Sequence, residues 1–316
     1  MTYPWPEPVV LDAEVFTELP SHLRKTGQSS YWATRNKRGL SVDCFLEGPS
    51  FDVDGNLWFV DIPFGRILRA NPSGEIEVIT EYDGQPNGLK IGASGDIYIA
   101  DFQNGIMQLN PKTGSVTHAL RDCDSESFKG CNDLHFGPQG ELYFTDQGQT
   151  GLQDPTGRVF RWLPETGQLD CLIDKVPSPN GLVLDKAGHV LYLAVTRANA
   201  VWRLPLSESG RVNKAGLFLQ YNGGRAGPDG LALTRQNGVV VCQTGMGLVW
   251  IYDQLGRPLS VVRSPKGLGT TNCAFGGEDL RTLFITESDS GSILKVTFPI
   301  ELGISGQPMF SGYVGT

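Results

Sequence analysis

The sequence predicts an all-β protein, a six-bladed β-propeller whose N-terminal strand closes the last blade. Three observations lead there. One phrase recurs six times. Its copies open every 40 to 49 residues. The chain also holds 40 Gly and 20 Pro among 316 residues, which supplies the turns that many short strands need. The whole chain, residues 1–316, is expected to form one propeller domain, with repeats opening at Glu47, Asn87, Asn132, Asn180, Asp229 and Asn272.

Each copy opens on a polar residue, runs through an apolar stretch, turns at Gly, and returns through a second apolar stretch to a polar residue. The copies are Glu47 to Asp61, Asn87 to Asp101, Asn132 to Asp146, Asn180 to Thr196, Asp229 to Thr244 and Asn272 to Glu287. Alternating and β-branched runs around a Gly turn read as a β-hairpin. A third strand follows each hairpin, opening near Gly65, Gly105, Gly157, Ala200, Gly247 and Gly291. A fourth fits Glu75 to Thr80, Ser115 to Arg121, Gln168 to Ile173, Leu217 to Tyr221 and Leu259 to Arg263. Four strands per 40 to 49 residues is the period of a propeller blade. The sixth unit lacks a fourth strand, and Val9 to Leu19 is spare. That segment is expected to complete the sixth blade and remove an open sheet edge.

Composition excludes several functions. With 26 Lys and Arg against 34 Asp and Glu, the net charge is −8, which argues against a nucleic-acid partner. No apolar run approaches a membrane span. The first twenty residues lack the pattern of a secretion signal, so a cytoplasmic protein with reduced thiols is expected. Cys123 and Cys131 are near enough in sequence to bridge, but no CxxC pair supports zinc or redox chemistry. GxSxG, HExxH and phosphate-loop motifs are absent, and His135 reads as a strand-packing residue. Asp52-Val53-Asp54-Gly55 reads as a hairpin turn, not a calcium loop.

In an antiparallel blade the first strand starts on the face to which the second returns. The six opening residues therefore converge on the mouth of the channel. They are two carboxylates and four amides, all oxygen donors. Such a set suits one hard divalent cation, calcium better than magnesium, although magnesium, manganese and zinc also occupy oxygen sites. For Asn87 and Asn272 the alternative is a plain turn residue before a small neighbour. Glu47 is no turn specialist and fills the same slot.

The ordered phrases Glu47-Gly-Pro, Asn132-Asp, Pro179-Asn180-Gly181-Leu182, Pro228-Asp229-Gly230-Leu231 and Asn272-Cys-Ala-Phe-Gly-Gly277 resemble the SMP-30/gluconolactonase (regucalcin-like) family. The resemblance runs from about Glu47 to about Lys295. It implies a six-bladed propeller with a divalent metal, usually calcium, in its channel. Glu47, Asn180 and Asp229 would be metal ligands, and Asn132 a further ligand or a substrate contact. Asn87 and Asn272 would line the substrate site. The implied activity is hydrolysis of a small-molecule lactone, with Asp229 as general base or nucleophile. The alternatives are a phosphotriester-type hydrolase using the same site and a non-catalytic calcium-binding propeller. Oligomeric state is left open. Aldonolactone-hydrolysing members carry Arg two residues before the channel Asn, where this chain has Gly130. That departure argues against a sugar lactone.

Two long segments on the channel face are candidates for shaping the site. Residues His22 to Gly39 hold Arg24, Lys25, Arg35, Lys37 and Arg38 with Tyr31 and Trp32 and no acid. They read as a lid or an anion contact, or else as a solvated loop or an oligomer contact. Gln147 to Thr156 is the second, and Phe102 stands just after a second strand.

Overall fold

The computed structural model describes residues 5–308. Six antiparallel sheets follow one another along the chain. Blade one is Leu46–Phe51, Leu57–Asp61, Arg66–Ala70 and Ile76–Glu81, paired in that order. Blades two to five open with Pro86–Ile91, Cys131–Phe136, Pro179–Leu184 and Gly227–Leu233 and repeat the plan. Blade six is Thr270–Gly276, Thr282–Glu287 and Ser292–Thr297, with Glu14–Glu18 as its outer strand.

The closing segment therefore does what its place in the chain requires, with one addition. It divides at Ala13. Val9–Asp12 runs parallel to Pro258–Arg263 and becomes a fifth strand of blade five, while Glu14–Glu18 pairs antiparallel with Ser292–Thr297. Ala13 is buried between the two sheets, and its N–H donates to the Arg263 carbonyl (3.0 Å). One short segment thus staples the last two blades together.

The core lies between blades, and the period of two decides which neighbour each side chain meets. In Leu57–Asp61, Leu57 and Phe59 pack with Phe284 and Ile293 of blade six. Trp58 and Val60 pack with Leu89 and Ile99 of blade two. Both faces of each inner strand are covered, so these strands read as nearly continuous apolar runs.

The inner strands approach one another closely, and small residues allow it. A Cβ on Gly181 would stand 2.3 Å from the Asp229 carbonyl oxygen, and one on Gly230 would stand 2.2 Å from Asn272 Cγ. Asn87-Gly88, Asn180-Gly181 and Asp229-Gly230 all lie inside strands, not in turns. The turn alternative for Asn87 does not hold, and Asn272 likewise lies inside Thr270–Gly276. Asp52 does form a hairpin turn, accepting from the Asp54 and Asn56 amides. All six cysteines are free thiols, so Cys123 and Cys131 do not bridge. Cys131 is buried in the first strand of blade three, and Cys123 lies in a small hairpin, Asp122–Cys123 with Glu126–Ser127. No helix among the described residues is long and apolar enough to cross a membrane.

Candidate metal and substrate site

The polar residue that ends each second strand anchors the entry to the channel. Asp61 accepts from the Phe45 N–H (2.7 Å), Asp101 from Gln85 (2.9 Å) and Asp146 from Gly130 (2.8 Å). Each donor lies two residues before an opening residue, so the side chain that follows is delivered at a fixed height. Blade six uses Glu287 on Gly269 (3.0 Å). In blades four and five a Thr takes the slot. The Thr196 hydroxyl donates to the Pro228 carbonyl, and that of Thr244 donates to Asp229 Oδ2, both at 2.8 Å.

Five of the six opening residues, Glu47, Asn87, Asn132, Asn180 and Asp229, line one cavity of about 120 Å³. Asn272 does not. It lies buried below, its Nδ2 donating to Asp133 Oδ2 (3.2 Å) and its Oδ1 accepting from the Cys273 N–H (2.8 Å). Asn132 is oriented by a relay: its Nδ2 donates to Gln147 Oε1 (3.1 Å), and Gln147 Nε2 donates to Ser178 Oγ (3.0 Å). The Asn132 Oδ1 is left for the cavity. A larger groove, about 420 Å³ against Tyr192, Arg203 and Phe218, contains none of the channel residues.

The site holds more negative charge than the opening residues alone carry. Asp133, directly after Asn132, is a third buried carboxylate. It stands where four other repeats have Gly, and Gly88 across from it makes the room: a Cβ there would come within 2.8 Å of Asp133 Oδ1. Lys90, also buried, is the nearby counter-charge, with its Nζ on the Pro49 carbonyl (3.3 Å). That the repeat slot after Asn132 holds an acid was the available signal in the sequence.

Burial pushes the Glu47 carboxyl well above its ordinary range, and repulsion from Asp229 and Asp133 adds to it. The Gly48 N–H, 2.9 Å away, and Asn272 oppose that shift. Asp229 is pushed up to about 7, chiefly by burial, with Asp133 adding and Thr244, Asn180 and Lys37 opposing. Asp133 is raised by burial against Lys90. His135 is driven down to about 3 by burial, with Lys90 adding. It is a neutral packing residue, as its place in the strand suggested.

No group of three His, Cys, Asp or Glu among the described residues is arranged to hold a metal ion. The polar residues that line the cavity are two carboxylates and five amides, Asn36 and Gln147 joining Asn87, Asn132 and Asn180. Two like charges buried side by side are costly without a cation between them. The oxygen-only set therefore fits a hard divalent ion held by Glu47, Asp229 and amide oxygens.

The basic segment His22 to Gly39 contributes to the same cavity through Trp32 and Asn36. Ser30 caps the helix Tyr31–Asn36 and donates through its hydroxyl to the Pro63 carbonyl (2.9 Å). Trp32 is buried against Phe45, ring centroids 4.7 Å apart, and both line the cavity with Ile62 and Phe102. Gln149 Nε2 donates to Asn36 Oδ1 (3.0 Å), which joins that segment to the second long loop. At Gly130 a Cβ would come 2.6 Å from the Phe102 ring, and φ is +149°. With Phe102 in that place no side chain fits there. The Phe102 ring thus gives the cavity an apolar wall.

Residues 45–289 match the SMP-30/Gluconolactonase/LRE-like region. A gluconolactonase of Zymomonas mobilis is 30% identical over 275 residues, spanning 77% of this chain and 76% of the relative. Lactonase drp35 of Staphylococcus aureus is 27% identical over 244 residues, 74% and 73% of the two chains. Among solved structures, a calcium-binding regucalcin from Agrobacterium tumefaciens superposes with a TM-score of 0.74 at 20% identity, over 95% of this chain and 98% of the other. A gluconolactonase from Xanthomonas campestris gives 0.72 at 19%, over 94% and 99%. The chain shares the fold of these structures and belongs to the SMP-30/gluconolactonase/LRE-like family.

Proposed function

We propose that this protein is a lactonase, a metal-dependent hydrolase that opens the ring of a small lactone, with calcium as the cation. The observation that carries the reading is the convergence of Glu47, Asn180 and Asp229 with Asn132 in one small cavity under an apolar wall. The lactonase and gluconolactonase relatives support the reaction class.

Glu47, Asn180, Asp229 and Asn132 would hold the ion. When bound, it would polarise the lactone carbonyl and stabilise negative charge on its oxygen. The protein's own part is positional and acid–base. Thr244 fixes the Asp229 carboxylate at Oδ2 and leaves Oδ1 to take a proton from water. That water adds to the carbonyl carbon, the ring C–O bond breaks, and the Asp229 carboxyl returns its proton to the departing alkoxide. The product is one hydroxy acid. Asn87 and Asn132, which line the cavity, would orient the ring, and Asn272 would support Glu47 from below. Trp32, Phe45, Ile62 and Phe102 exclude bulk water and favour a substrate with apolar faces over a polyhydroxylated one.

The test is proton release in a pH-stat over sugar, aliphatic and aromatic lactones, with calcium and after chelation. Chelator-sensitive turnover of an apolar lactone is expected. Turnover of none of them by calcium-loaded protein would overturn the reading, and a parallel phosphotriester arm would then decide for the other ester class.

A further inference from the structure

The lid carries five basic residues, of which the fold pairs three and leaves a fourth in water. Arg24 binds the Leu19 and Ser290 carbonyls and Asp43. Lys25 pairs with Glu81 (2.9 Å), Arg35 binds the Tyr31 hydroxyl (2.7 Å), and Arg38 is exposed to water. Lys37 differs. It is half-buried, and its Nζ stands 4.1 Å from the centroid of the Phe45 ring and 5.8 Å from that of Trp32. Both rings line the cavity. Among the described residues no carboxylate lies within ion-pair reach of this ammonium, and it makes no hydrogen bond. Burial draws its pKa down, while Asp289 and Asp229 oppose that at longer range. A desolvated ammonium resting on aromatic faces keeps part of its attraction to a ring but lacks an anion. Lys37 itself is not among the residues that line the cavity, but the two rings it rests on and its neighbour Asn36 are, and oxygen donors lie opposite them.

We propose that Lys37 reads an anionic group on the substrate, so that the preferred lactone carries a carboxylate on its ring or on a short arm. This rests on the lactonase reading and extends it to a substrate class. The lactone carbonyl would lie at the Glu47–Asp229 pole, the ring would lie against Phe102 and Ile62, and the carboxylate would project toward Lys37 under the lid. At the floor a bound cation would already be balanced by Glu47 and Asp229, so the ammonium is the charge left over for a carboxylate. Lys37 therefore sets orientation as well as affinity.

The test compares γ-butyrolactone-γ-carboxylate with its neutral carboxamide in the pH-stat, using calcium-loaded wild type, Lys37→Gln and Lys37→Arg. The readout is the ratio of kcat/KM for the acid to that for the amide. In Lys37→Gln the ratio should fall about tenfold to a hundredfold, the worth of one charge-assisted contact, mostly through KM. Lys37→Arg should restore most of it. An unchanged ratio in Lys37→Gln, with both substrates kept or both lost together, would overturn the proposal and leave Lys37 a lid-packing residue. A second measurement is independent of turnover: calorimetric binding of a cyclopentanone carboxylate against its carboxamide, which has no bond to hydrolyse. If wild type opens neither lactone but binds the acid over the amide in a Lys37-dependent way, the lactonase reading fails and the anion contact stands. If wild type shows no preference for the acid, the anion contact fails whatever the turnover.

Discussion

Replacing Gly181 by Ala adds one methyl where an inner strand of blade four lies close against one of blade five. The new Cβ would stand 2.3 Å from the Asp229 carbonyl oxygen, 2.7 Å from Gly230 Cα and 2.8 Å from Leu231 N. All three are backbone atoms of an inner strand, so no side chain can swing away. Restoring ordinary contact requires the two strands to part by about 1 Å. The backbone of Gly181 is not in the left-handed region, so the effect is packing alone. Overpacking of this kind costs about 1–3 kcal/mol. The same displacement moves Asp229 relative to Asn180, and an error of about 1 Å at a reacting group costs roughly a hundredfold in rate. Urea unfolding followed by tryptophan fluorescence reads the first effect, and lactone turnover reads the second. Gly216→Ala is the control. That residue lies in an outer strand with nothing within 4 Å of an added Cβ, and the change should be neutral or stabilising by less than about 1 kcal/mol. If Gly181→Ala unfolds and turns over like the parent, close strand approach is not why Gly follows the channel residue.

Further outcomes follow from the charge balance of the channel. Asp229→Asn should lower turnover by about a hundredfold or more, and the chelated variant should melt no lower than the chelated parent above neutral pH, because a buried like charge is gone. A lower melting temperature would show that the charge is well compensated without a cation. Asp229 is raised in the folded protein from 3.8 to about 7. Its favourable contribution is therefore complete at low pH and is lost as pH rises through about 7. Chelated protein should lose stability across that range relative to calcium-loaded protein, and calcium should release more protons when added below pH 7 than above it. Calorimetry in buffers of different ionisation enthalpy checks this, and equal release on both sides would refute it. Arg66→Met should cost about 3–5 kcal/mol, since it strands the buried Asp61 carboxylate and removes the tie to the Leu23 carbonyl at the base of the lid. Adding Asp61→Asn should recover part of that loss.

The blades were legible because each needs only local information: a Gly-marked hairpin, side chains alternating with period two, and a spacing that repeats. The division of Val9 to Leu19 was not legible, because which sheet edge a strand joins depends on partners about 250 residues away, Ser260 and Arg263 among them. The lid helix Tyr31–Asn36 spans too few turns to show a helical period, although its Ser30 cap is visible afterwards. Within the channel the repeat slot identified five cavity-lining residues and misread a sixth. Asn272 fills the same slot as Asn132, yet its amide is taken by Asp133 from across the ring. Asp133 was overlooked for the complementary reason, since the repeat marks the opening residue and not the one after it.

The dipeptides Asn87-Gly88, Asn180-Gly181 and Asp229-Gly230 explain why such errors arise. Asn-Gly and Asp-Gly favour turns through backbone freedom, a property of the two residues alone. Here neither Gly181 nor Gly230 takes the left-handed conformation that makes a turn. Each is a Gly because the neighbouring inner strand leaves no room for a Cβ. The pattern was right and its local cause was wrong. The same letters serve a contact with the next repeat, and that contact also carries the oxygen donors into one cavity.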